Sequence, residues 1–382
     1  MPDTPGALDG IVVADFSRVL AGPITTMLLA DLGAEVVKVE RPDVGDDTRA
    51  WGPPWAPDGE ASYYLGVNRN KRSVALDLRD PADLATARAL AHRADVVIEN
   101  FRPGVMARYG LDEPNLRAAN PGVVYCRIAG LGRGDVAGYD FLAQAVGGLM
   151  SITGEKDGEP LKVGVALVDV MAGLHAAIGV LAALRHRDRT GEGQLVEVDL
   201  LSTTLFALAN QASGYLTAGV VPGRLGNRHP SIAPYETLEA ADGPFVVAVG
   251  NDGQFRALCA ALEAPALADD PRFATNADRV ANRDPLGSAL EERLRARTAA
   301  SWIEVLGAAG IPCGPVNDAA QAFAHARTVG LDPVAELRRA DGSGTVATVA
   351  NPLSFSKTPA TYRLAPPRLG EHTDEVRAEV AE

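Results

Sequence analysis

One aspartate stands out among the residues that could carry chemistry, because its surroundings are apolar. Asp169 lies between the segments VGVALV and VMAGLHAAIGVLAAL. Burying a carboxylate in such a place is costly unless hydrogen-bond donors hold it. One interpretation is a helix N-cap that accepts a backbone N–H. The other is a nucleophile, kept ionised by the N-terminus of a helix that begins near Val170; the two are compatible.

Arginines recur just beyond apolar, strand-like runs. They are Arg41, Arg79, Arg102 and Arg108. Each alone is typical of a solvated surface residue. Ligands of an open parallel sheet bind outside the carboxyl ends of its strands, and guanidinium groups pair well with phosphate. Together these arginines predict a small polyanionic ligand that carries phosphate.

The elements that must position these residues alternate in type, which predicts βαβ units, a parallel sheet and an α/β fold. Predicted strands are Ile11–Phe16, Glu35–Glu40, Ser73–Leu78, Asp95–Glu99, Val123–Ile128 and Gln194–Val198. Predicted helices are Thr25–Leu32, Pro81–Arg93, Tyr139–Met150, Val170–Arg187 and Leu200–Leu216.

A change in composition divides the chain. Residues 1–218 form the predicted large domain, and the Gly/Pro-rich residues 219–234 form a linker. Residues 235–328 are predicted to form a smaller α/β domain, and residues 329–382 a return linker and C-terminal segment that packs on the large domain.

Composition and missing motifs argue against several classes of protein. The 382 residues carry a formal net charge of −13 and 5% aromatic residues, which disfavours a nucleic-acid partner. The first βαβ turn, SRVLAGP, lacks the GxGxxG of dinucleotide sites, so Glu40 at the end of the next strand is expected to be a solvated acid. The histidines and three cysteines show no metal-ligand spacing. With neither a signal peptide nor a charge-free apolar run, the chain is expected to be cytoplasmic, without metal or membrane contact.

Several longer motifs carry a family resemblance. They are DFSRVLAGP (Asp15–Pro23), DLGAEVVKVERP (Asp31–Pro42), NRNKRSVALDL (Asn68–Leu78), ADVVIENFRPG (Ala94–Gly104), GYDFLAQA (Gly138–Ala145), VGVALVDVMAGLHAAIGVLAAL (Val163–Leu184), NRHPSIAPYE (Asn227–Glu236) and RLGEHTDEV (Arg368–Val376). In this order they resemble the class III coenzyme A transferases, the family of formyl-CoA transferase and carnitine CoA-transferase. The resemblance covers nearly the whole chain.

The resemblance implies a Rossmann-like, doubly wound parallel sheet in the large domain, a smaller α/β domain, and a ring-like chain interlocked with a second copy in a homodimer. It places Asp169 at the catalytic aspartate, which forms a covalent intermediate while CoA moves between an acyl-CoA thioester and a free carboxylic acid. Coenzyme A is then a substrate, and no permanently bound cofactor is expected. Its contacts fall on Val19, Leu20, Ala21, Arg41, Leu76, Arg79, Asn100, Phe101, Arg102, Arg108 and Tyr139.

The sequence indicates the acid substrate less directly than it indicates coenzyme A. The NRHPSIAPYE stretch resembles members that handle dicarboxylates with succinyl-CoA as donor. Candidate acid-binding groups are Arg224, Arg228 and His229, which equally well fix the path of the linker. Two departures from formyl-CoA transferase are the loop Gly250–Gln254, in place of a glycine-rich shielding run, and Ala137, in place of a lysine in the CoA site.

Two alternatives to a transferase remain. Related α-methylacyl-CoA racemases use a histidine in a GHD stretch where this chain has GYD, with Tyr139. A tyrosine with an ordinary pKa of about 10 replaces an imidazole poorly at neutral pH, so the sequence favours the transferase. A CoA-binding protein without transferase activity is the other alternative.

Overall fold

The apolar runs of the N-terminal part pair into a six-stranded parallel sheet. The computed structural model describes residues 5–132 and 138–381. The strands are β1 Val12–Asp15, β2 Glu35–Glu40, β3 Lys71–Ala75, β4 Val96–Glu99, β5 Val124–Ala129 and β6 Leu195–Asp199. Their order is β3-β2-β1-β4-β5-β6, the order of doubly wound nucleotide-binding sheets, which bind ligands where the winding reverses beside the first strand.

Helices follow most of these strands. They are α1 Ala21–Asp31, α2 Ser62–Leu65, α3 Pro81–Arg93, α4 Val105–Arg108, α5 Glu113–Ala119, α6 Asp140–Val146, α7 Leu167–Thr190, α8 Leu200–Ala207 and α9 Ala209–Ala218, with 3-10 turns at Asp47–Ala50 and Met150–Ile152. Helix α3 begins as its sequence predicts, because Asp80 accepts from the N–H groups of Ala82 and Asp83 and Pro81 occupies the first turn.

Helix α7 packs along α1 in the core beside the sheet. A Cβ at Gly173 would lie 2.7 Å from the carbonyl oxygen of Ala21, so only glycine allows this approach. By length and composition α7 is apolar enough to cross a membrane. Its buried face is instead part of this core.

A second, smaller sheet belongs to the middle of the chain. Its antiparallel strands, in the order β7-β8-β9, are β7 Tyr235–Glu239, β8 Pro244–Ala248 and β9 Cys313–Pro315. The helices here are α10 Asp252–Ala261, α11 Ala266–Asp269, α12 Asn276–Ala281, α13 Arg283–Leu294, α14 Ala299–Ala308 and α15 Ala319–Thr328. Phe245, Phe255, Leu290 and Trp302 lie in its own buried core.

The C-terminal segment returns to the parallel sheet. It contains the hairpin β10 Val334–Arg338 and β11 Thr345–Val349, then α16 Thr373–Ala381. The N–H of His372 donates to the carbonyl of Ser73 (2.9 Å), and Thr373 Oγ1 accepts from the N–H of Ala75 (3.0 Å). These bonds cover the outer edge of β3, which would otherwise expose unpaired backbone groups.

The chain thus divides into two units. The first comprises Met1–Leu149, Lys162–Val220 and Asp332–Glu382, and the second Met150–Leu161 and Val221–Leu331. Residues 150–161 therefore group with the second unit, whereas the division made from sequence placed them in the first.

Several predicted bounds were wrong. The helix predicted at Leu200–Leu216 is two helices that meet at Ala209, whose φ is +45°. Strand β3 begins at Lys71, because Asp15 neutralises Lys71 and Glu35 and Glu379 neutralise Arg72. Strand β7, helix α15 and the β10–β11 hairpin were not predicted, since each lies in a short segment of mixed polarity.

Candidate active site

Asp169 lies inside the first turn of α7. The helix begins at Leu167, and Ala166 occupies the N-cap position without a side-chain cap, so the prediction that Asp169 is the N-cap was wrong. The acceptor comes from another helix: Asp140 Oδ1 accepts from the N–H of Val168 (2.8 Å) and of Asp169 (3.3 Å). Because Asp140 does the capping, the half-buried carboxylate of Asp169 is left to face a cavity.

Asp140 is itself held by its own helix, α6. Gln144 Nε2 donates to Asp140 Oδ2 (2.6 Å), and Gln144 Oε1 accepts from the N–H of Val163 (2.9 Å). Asp140 and Gln144 are buried. The short α6 therefore fixes the chain that leads into Asp169.

The same arrangement sets the protonation of Asp169. Burial, and then the charge of Asp140, raise the pKa of Asp169 to about 7. A carboxylate kept ionised by the helix N-terminus would have a lowered pKa. That expectation was wrong, because the pKa of Asp169 is raised. A carboxyl group ionises less readily in a partly dry site beside another negative charge.

A cavity of about 260 Å³ opens beside Asp169. Most of the CoA contacts that the resemblance implied line it: Val19, Leu20, Ala21, Asn100, Phe101, Arg102 and Tyr139. Three charged residues that the sequence analysis did not single out also line it, namely Arg18, Asp47 and Arg127. Arg127 is paired with Glu99 and Glu197, both at 3.1 Å.

The loop before α1 enters this cavity in a strained conformation. Val19 has φ +72°, which is unusual for a β-branched residue. Its N–H donates to both carboxylate oxygens of Asp46 (3.2 Å each), and Asn100 bonds both the N–H and the carbonyl of Arg18 (2.9 and 2.7 Å). Strain of this kind persists only where its surroundings impose it.

Beneath this loop lies a buried ion pair. Lys38 Nζ is 2.9 Å from Asp46 and donates to the carbonyl of Ser17 (2.8 Å). Despite burial, Lys38 and the N–H and hydroxyl of Thr48 lower the pKa of Asp46 to about 2. The sequence signal for this pair was a lysine within the apolar strand EVVKVE, which the sequence analysis did not use.

A slot of about 50 Å³ lies at the ends of β2 and β4. Leu76, Phe101 and Arg41 line it, as the resemblance implied, together with Arg18. The prediction that Glu40 is solvated was wrong, because Glu40 is buried and paired with Arg49 (2.8 Å). Against burial, the hydrogen bond from Arg49 and the charge of Lys38 lower the pKa of Glu40.

Two predicted arginines stand apart from these cavities. Arg79 is exposed and paired with Asp77 (2.8 Å), and Arg108 is exposed at the end of α4. Neither lines the 260 Å³ cavity or the slot. Ala137 lies outside the described residues.

The candidate acid-binding residues belong to the second unit and are engaged there. Arg228 is paired with Glu236 (2.9 Å) and Asp284, and Arg224 Nη2 donates to the carbonyl of Gly158 (2.8 Å). His229 Nδ1 accepts from the N–H of Ser231 (3.0 Å). Such contacts suit residues that fix the path of the chain.

The loop Gly250–Gln254 also belongs to the second unit. Asn251 Oδ1 accepts from the N–H of Gln254 (2.9 Å), and Gln254 Oε1 accepts from the N–H of Gly250 (2.8 Å). The loop is thus the capped start of α10.

A larger, mostly apolar cavity of about 600 Å³ also reaches Asp169. Its lining includes Trp51, Tyr63 and Phe141, and Trp51 and Tyr63 meet edge to face with ring centroids 5.5 Å apart. Lys162 is the cation in this lining. Val19, Leu20 and Tyr139 line both this cavity and the 260 Å³ cavity, so Asp169 lies where an arginine-lined space and an aromatic one adjoin.

No metal site accompanies this arrangement in residues 5–132 and 138–381. No group of three or more His, Cys, Asp or Glu side chains there could hold an ion. The chemistry of the site is that of a carboxylate beside arginines and aromatic rings.

Fold and site define an α/β enzyme with a nucleotide-type sheet and a candidate carboxylate nucleophile. The chain belongs to CoA-transferase family III, whose model matches residues 8–373, so the family resemblance is confirmed. It is 44% identical to succinate–glutarate CoA-transferase of Agrobacterium fabrum, across 100% of this chain and 97% of that protein. It is 40% identical to acetyl-CoA:oxalate CoA-transferase of Acetobacter aceti, across 98% of this chain and 96% of that protein. The crystal structure of a CAIB/BAIF family protein from Brucella suis superposes with a TM-score of 0.87 at 43% identity, covering 98% of this chain and 100% of that one.

Proposed function

We propose that this enzyme moves coenzyme A between succinyl-CoA and a dicarboxylic acid, with Asp169 as the covalent nucleophile. The observation that carries the proposal is the position of Asp169, which lines both the arginine-lined cavity and the aromatic cavity. A thioester whose CoA part fills the first and whose acyl part fills the second would present its carbonyl carbon to this carboxylate.

The coenzyme A side of the proposal rests on charge and shape. Leu76 and Phe101 at the slot offer apolar surface against which the adenine ring can lie, while Arg18, Arg41 and Arg102 suit the phosphates. Val19 to Ala21 line the cavity that leads on to Asp169, so the pantetheine arm runs along this loop. Arg79 and Arg108, both exposed, remain proposed CoA contacts, although neither lines these two cavities.

The proposed chemistry is a double exchange. Asp169 attacks the carbonyl carbon of succinyl-CoA, which gives a mixed anhydride and CoA thiolate. The thiolate attacks the aspartyl carbonyl, succinate leaves, and an aspartyl-CoA thioester remains. The acceptor carboxylate attacks that thioester and expels the thiolate, which then attacks the acceptor carbonyl of the new anhydride. The new acyl-CoA leaves, and Asp169 is free again.

Backbone groups are available for the oxyanions of these steps. Helix α1 begins at the cavity with Leu20 at its N-cap position and no side-chain cap. The N–H groups of Ala21 and Gly22, which precede Pro23 in its first turn, are therefore candidate donors to the developing negative charge.

The nature of the acid is proposed from relatives and from the aromatic cavity. Relatives of similar identity are named for glutarate and for oxalate. Lys162 in the lining of the 600 Å³ cavity offers a partner to the second carboxylate of a dicarboxylic acid. We favour a five-carbon acid such as glutarate, because the cavity is large and mostly apolar.

We further propose that the enzyme is cytoplasmic and acts as a homodimer of interlocked chains. Helices α7 and α8 expose apolar side chains, including Leu174, Ile178, Leu181 and Phe206. On α7 they recur at i, i+4 and i+7, which forms a stripe along one face. A second copy that covers this stripe would remove it from water.

The test is CoA exchange from succinyl-CoA to a panel of acids that includes glutarate, oxalate and acetate. Asp169→Ala and Asp169→Asn should abolish exchange, whereas Asp188→Asn, an exposed aspartate on the same helix, should not change it. Hydroxylamine should trap an acyl-enzyme at Asp169 in the wild type. Full turnover by both Asp169 variants would overturn the proposal.

The same enzyme preparation distinguishes a transferase from the two alternatives, a racemase and a CoA-binding protein without activity. A racemase would exchange the α-proton of a 2-methylacyl-CoA with deuterium in the absence of any acceptor acid. A CoA-binding protein without activity would bind CoA in a titration and give no exchange with any acid of the panel.

A further inference from the structure

Asp47 lies between two arginines at the proposed CoA site. It is the first residue of the 3-10 turn Asp47–Ala50. Its Oδ2 is 3.1 Å from Arg18 Nη1, and its Oδ1 is 2.8 Å from Arg41 Nη2. The carboxylate has no other side-chain partner in the described part of the chain. Asp47 is thus a single negative charge that bridges two guanidinium groups.

The bridge occupies the place where the two CoA cavities meet. Arg18 lines both the 260 Å³ cavity and the slot, Arg41 lines the slot, and Asp47 lines the cavity. The Arg18 guanidinium lies 5.0 Å from the ring centroid of Phe101, which also lines both. A ligand whose base lies against the mouth of the slot and whose thiol reaches Asp169 would carry its diphosphate past this point.

The contact with Asp47 leaves Arg18 poorly satisfied. Arg18 donates to Asp47 through Nη1 alone, and its Nε is buried without a hydrogen-bond partner. A phosphate group has enough oxygen atoms to accept from two N–H groups of one guanidinium at once. The carboxylate therefore satisfies the arginine less well than a phosphate would.

We propose that Asp47 is an internal anion, which holds the diphosphate position of the free enzyme and thereby weakens the binding of coenzyme A. This rests on the proposed function, since it assigns the anion as the CoA diphosphate. When the ligand binds, phosphate replaces the carboxylate on Arg18 and Arg41, and the side chain of Asp47, 39% exposed, turns toward solvent. The lower affinity favours release of the product thioester. The opposite role, in which Asp47 orients the arginines for the ligand, predicts the opposite effect of its removal.

Calorimetric titration of the full chain with CoA tests whether removal of the Asp47 carboxylate strengthens or weakens CoA binding. Asp47→Asn should lower the Kd for CoA by about three- to fivefold, the size of one screened charge contact, and Asp47→Ser should do the same. Asp43→Asn is the matched control, because Asp43 is exposed on the same loop and has no side-chain partner among the described residues. It should leave the Kd unchanged.

Pantetheine, which lacks the diphosphate and the nucleoside, locates the effect. Its Kd should be the same for wild type and Asp47→Asn. Weaker or unchanged CoA binding by both Asp47 variants would overturn the inference, and so would equal tightening of pantetheine. The exchange assay stands apart from these titrations: a wild type that binds CoA without exchanging it would defeat the proposed function, while the titrations still decide the role of Asp47.

Discussion

Two carboxylates at the start of α7 set the acid–base behaviour of the site. Because burial and Asp140 raise the pKa of Asp169 to about 7, its ionised form, which the proposed mechanism requires, increases with pH across neutrality. We predict that kcat/KM for succinyl-CoA rises about tenfold between pH 6 and pH 8 and then levels off. A steady-state profile from pH 5 to pH 9 measures this. A flat profile below pH 8 would contradict it.

The contribution of Asp140 is separable by substitution. Asp140→Asn removes the second cause of the raised pKa of Asp169 but keeps an oxygen that can accept from Val168. We predict that the midpoint of the pH profile moves to lower pH. Asp140→Ala loses the cap as well, so it should in addition unfold more easily, by about 1 kcal/mol. If Asp140→Asn keeps the wild-type midpoint, the charge of Asp140 does not act on Asp169.

At this scale the sequence singled out Asp169, the proposed nucleophile, but not the residues that support it. Asp169 stood out because apolar segments flank it. The capping bond joins Asp140 to the N–H of Val168, 28 residues along the chain, and no local pattern reports such a contact. The GYD motif drew attention through Tyr139, whereas its aspartate, Asp140, is the residue that caps α7.

Among the elements, the loop before α1 rests on a buried ion pair. Lys38 neutralises Asp46. Asp46 in turn accepts a hydrogen bond from the N–H of Val19, whose backbone is strained. We predict that Lys38→Met lowers the free energy of unfolding by about 3–5 kcal/mol, because it leaves a buried carboxylate unpaired. Urea unfolding measures it, with Lys357→Met, an exposed lysine, as the control.

The stability lost in Lys38→Met should change with pH in a definite direction. A carboxyl group whose pKa falls from 3.8 to about 2 on folding stabilises the fold above its ordinary pKa and loses this effect as the pH falls toward 2. The difference between wild type and Lys38→Met should therefore be largest near neutral pH and shrink in acid. Asp46→Asn in the Lys38→Met background should recover part of the stability. An equal loss in the two lysine variants would refute the role of the pair.

The alternation of strand and helix made the parallel sheet predictable, whereas its details depend on tertiary contacts. The six strands of this sheet lie in or beside apolar runs that a periodicity argument detects. The start of β3 at Lys71 could not be predicted, because a lysine is stable there only with Asp15 beside it. Likewise Trp51 and Tyr63 come from a loop and a one-turn helix, and only the folded chain brings them near Asp169.

For the whole molecule, the stripe on α7 is an apolar surface that one chain leaves open to solvent. Ile178, 64% exposed, lies in its middle. We predict that Ile178→Asp lowers the yield of dimer, since assembly would bury the new charge. Light scattering after size exclusion measures the mass. Val329→Asp, at an exposed valine of the second unit, is the control and should remain dimeric. A wild type that elutes as a monomer would remove the basis for this prediction.

The proposed interlocking of two chains has a consequence that docking through surfaces alone would not have. Two closed chains that pass through one another cannot separate while both stay folded, so their subunits should not exchange in native buffer. We predict that tagged and untagged wild-type dimers, mixed and incubated for a day, form no mixed dimers, whereas unfolding and refolding them together yields mixed dimers in about the statistical proportion. Affinity capture of the tag followed by mass spectrometry counts the mixed species. Mixed dimers that form in native buffer would show two chains that dock through surfaces such as the α7 stripe without interlocking.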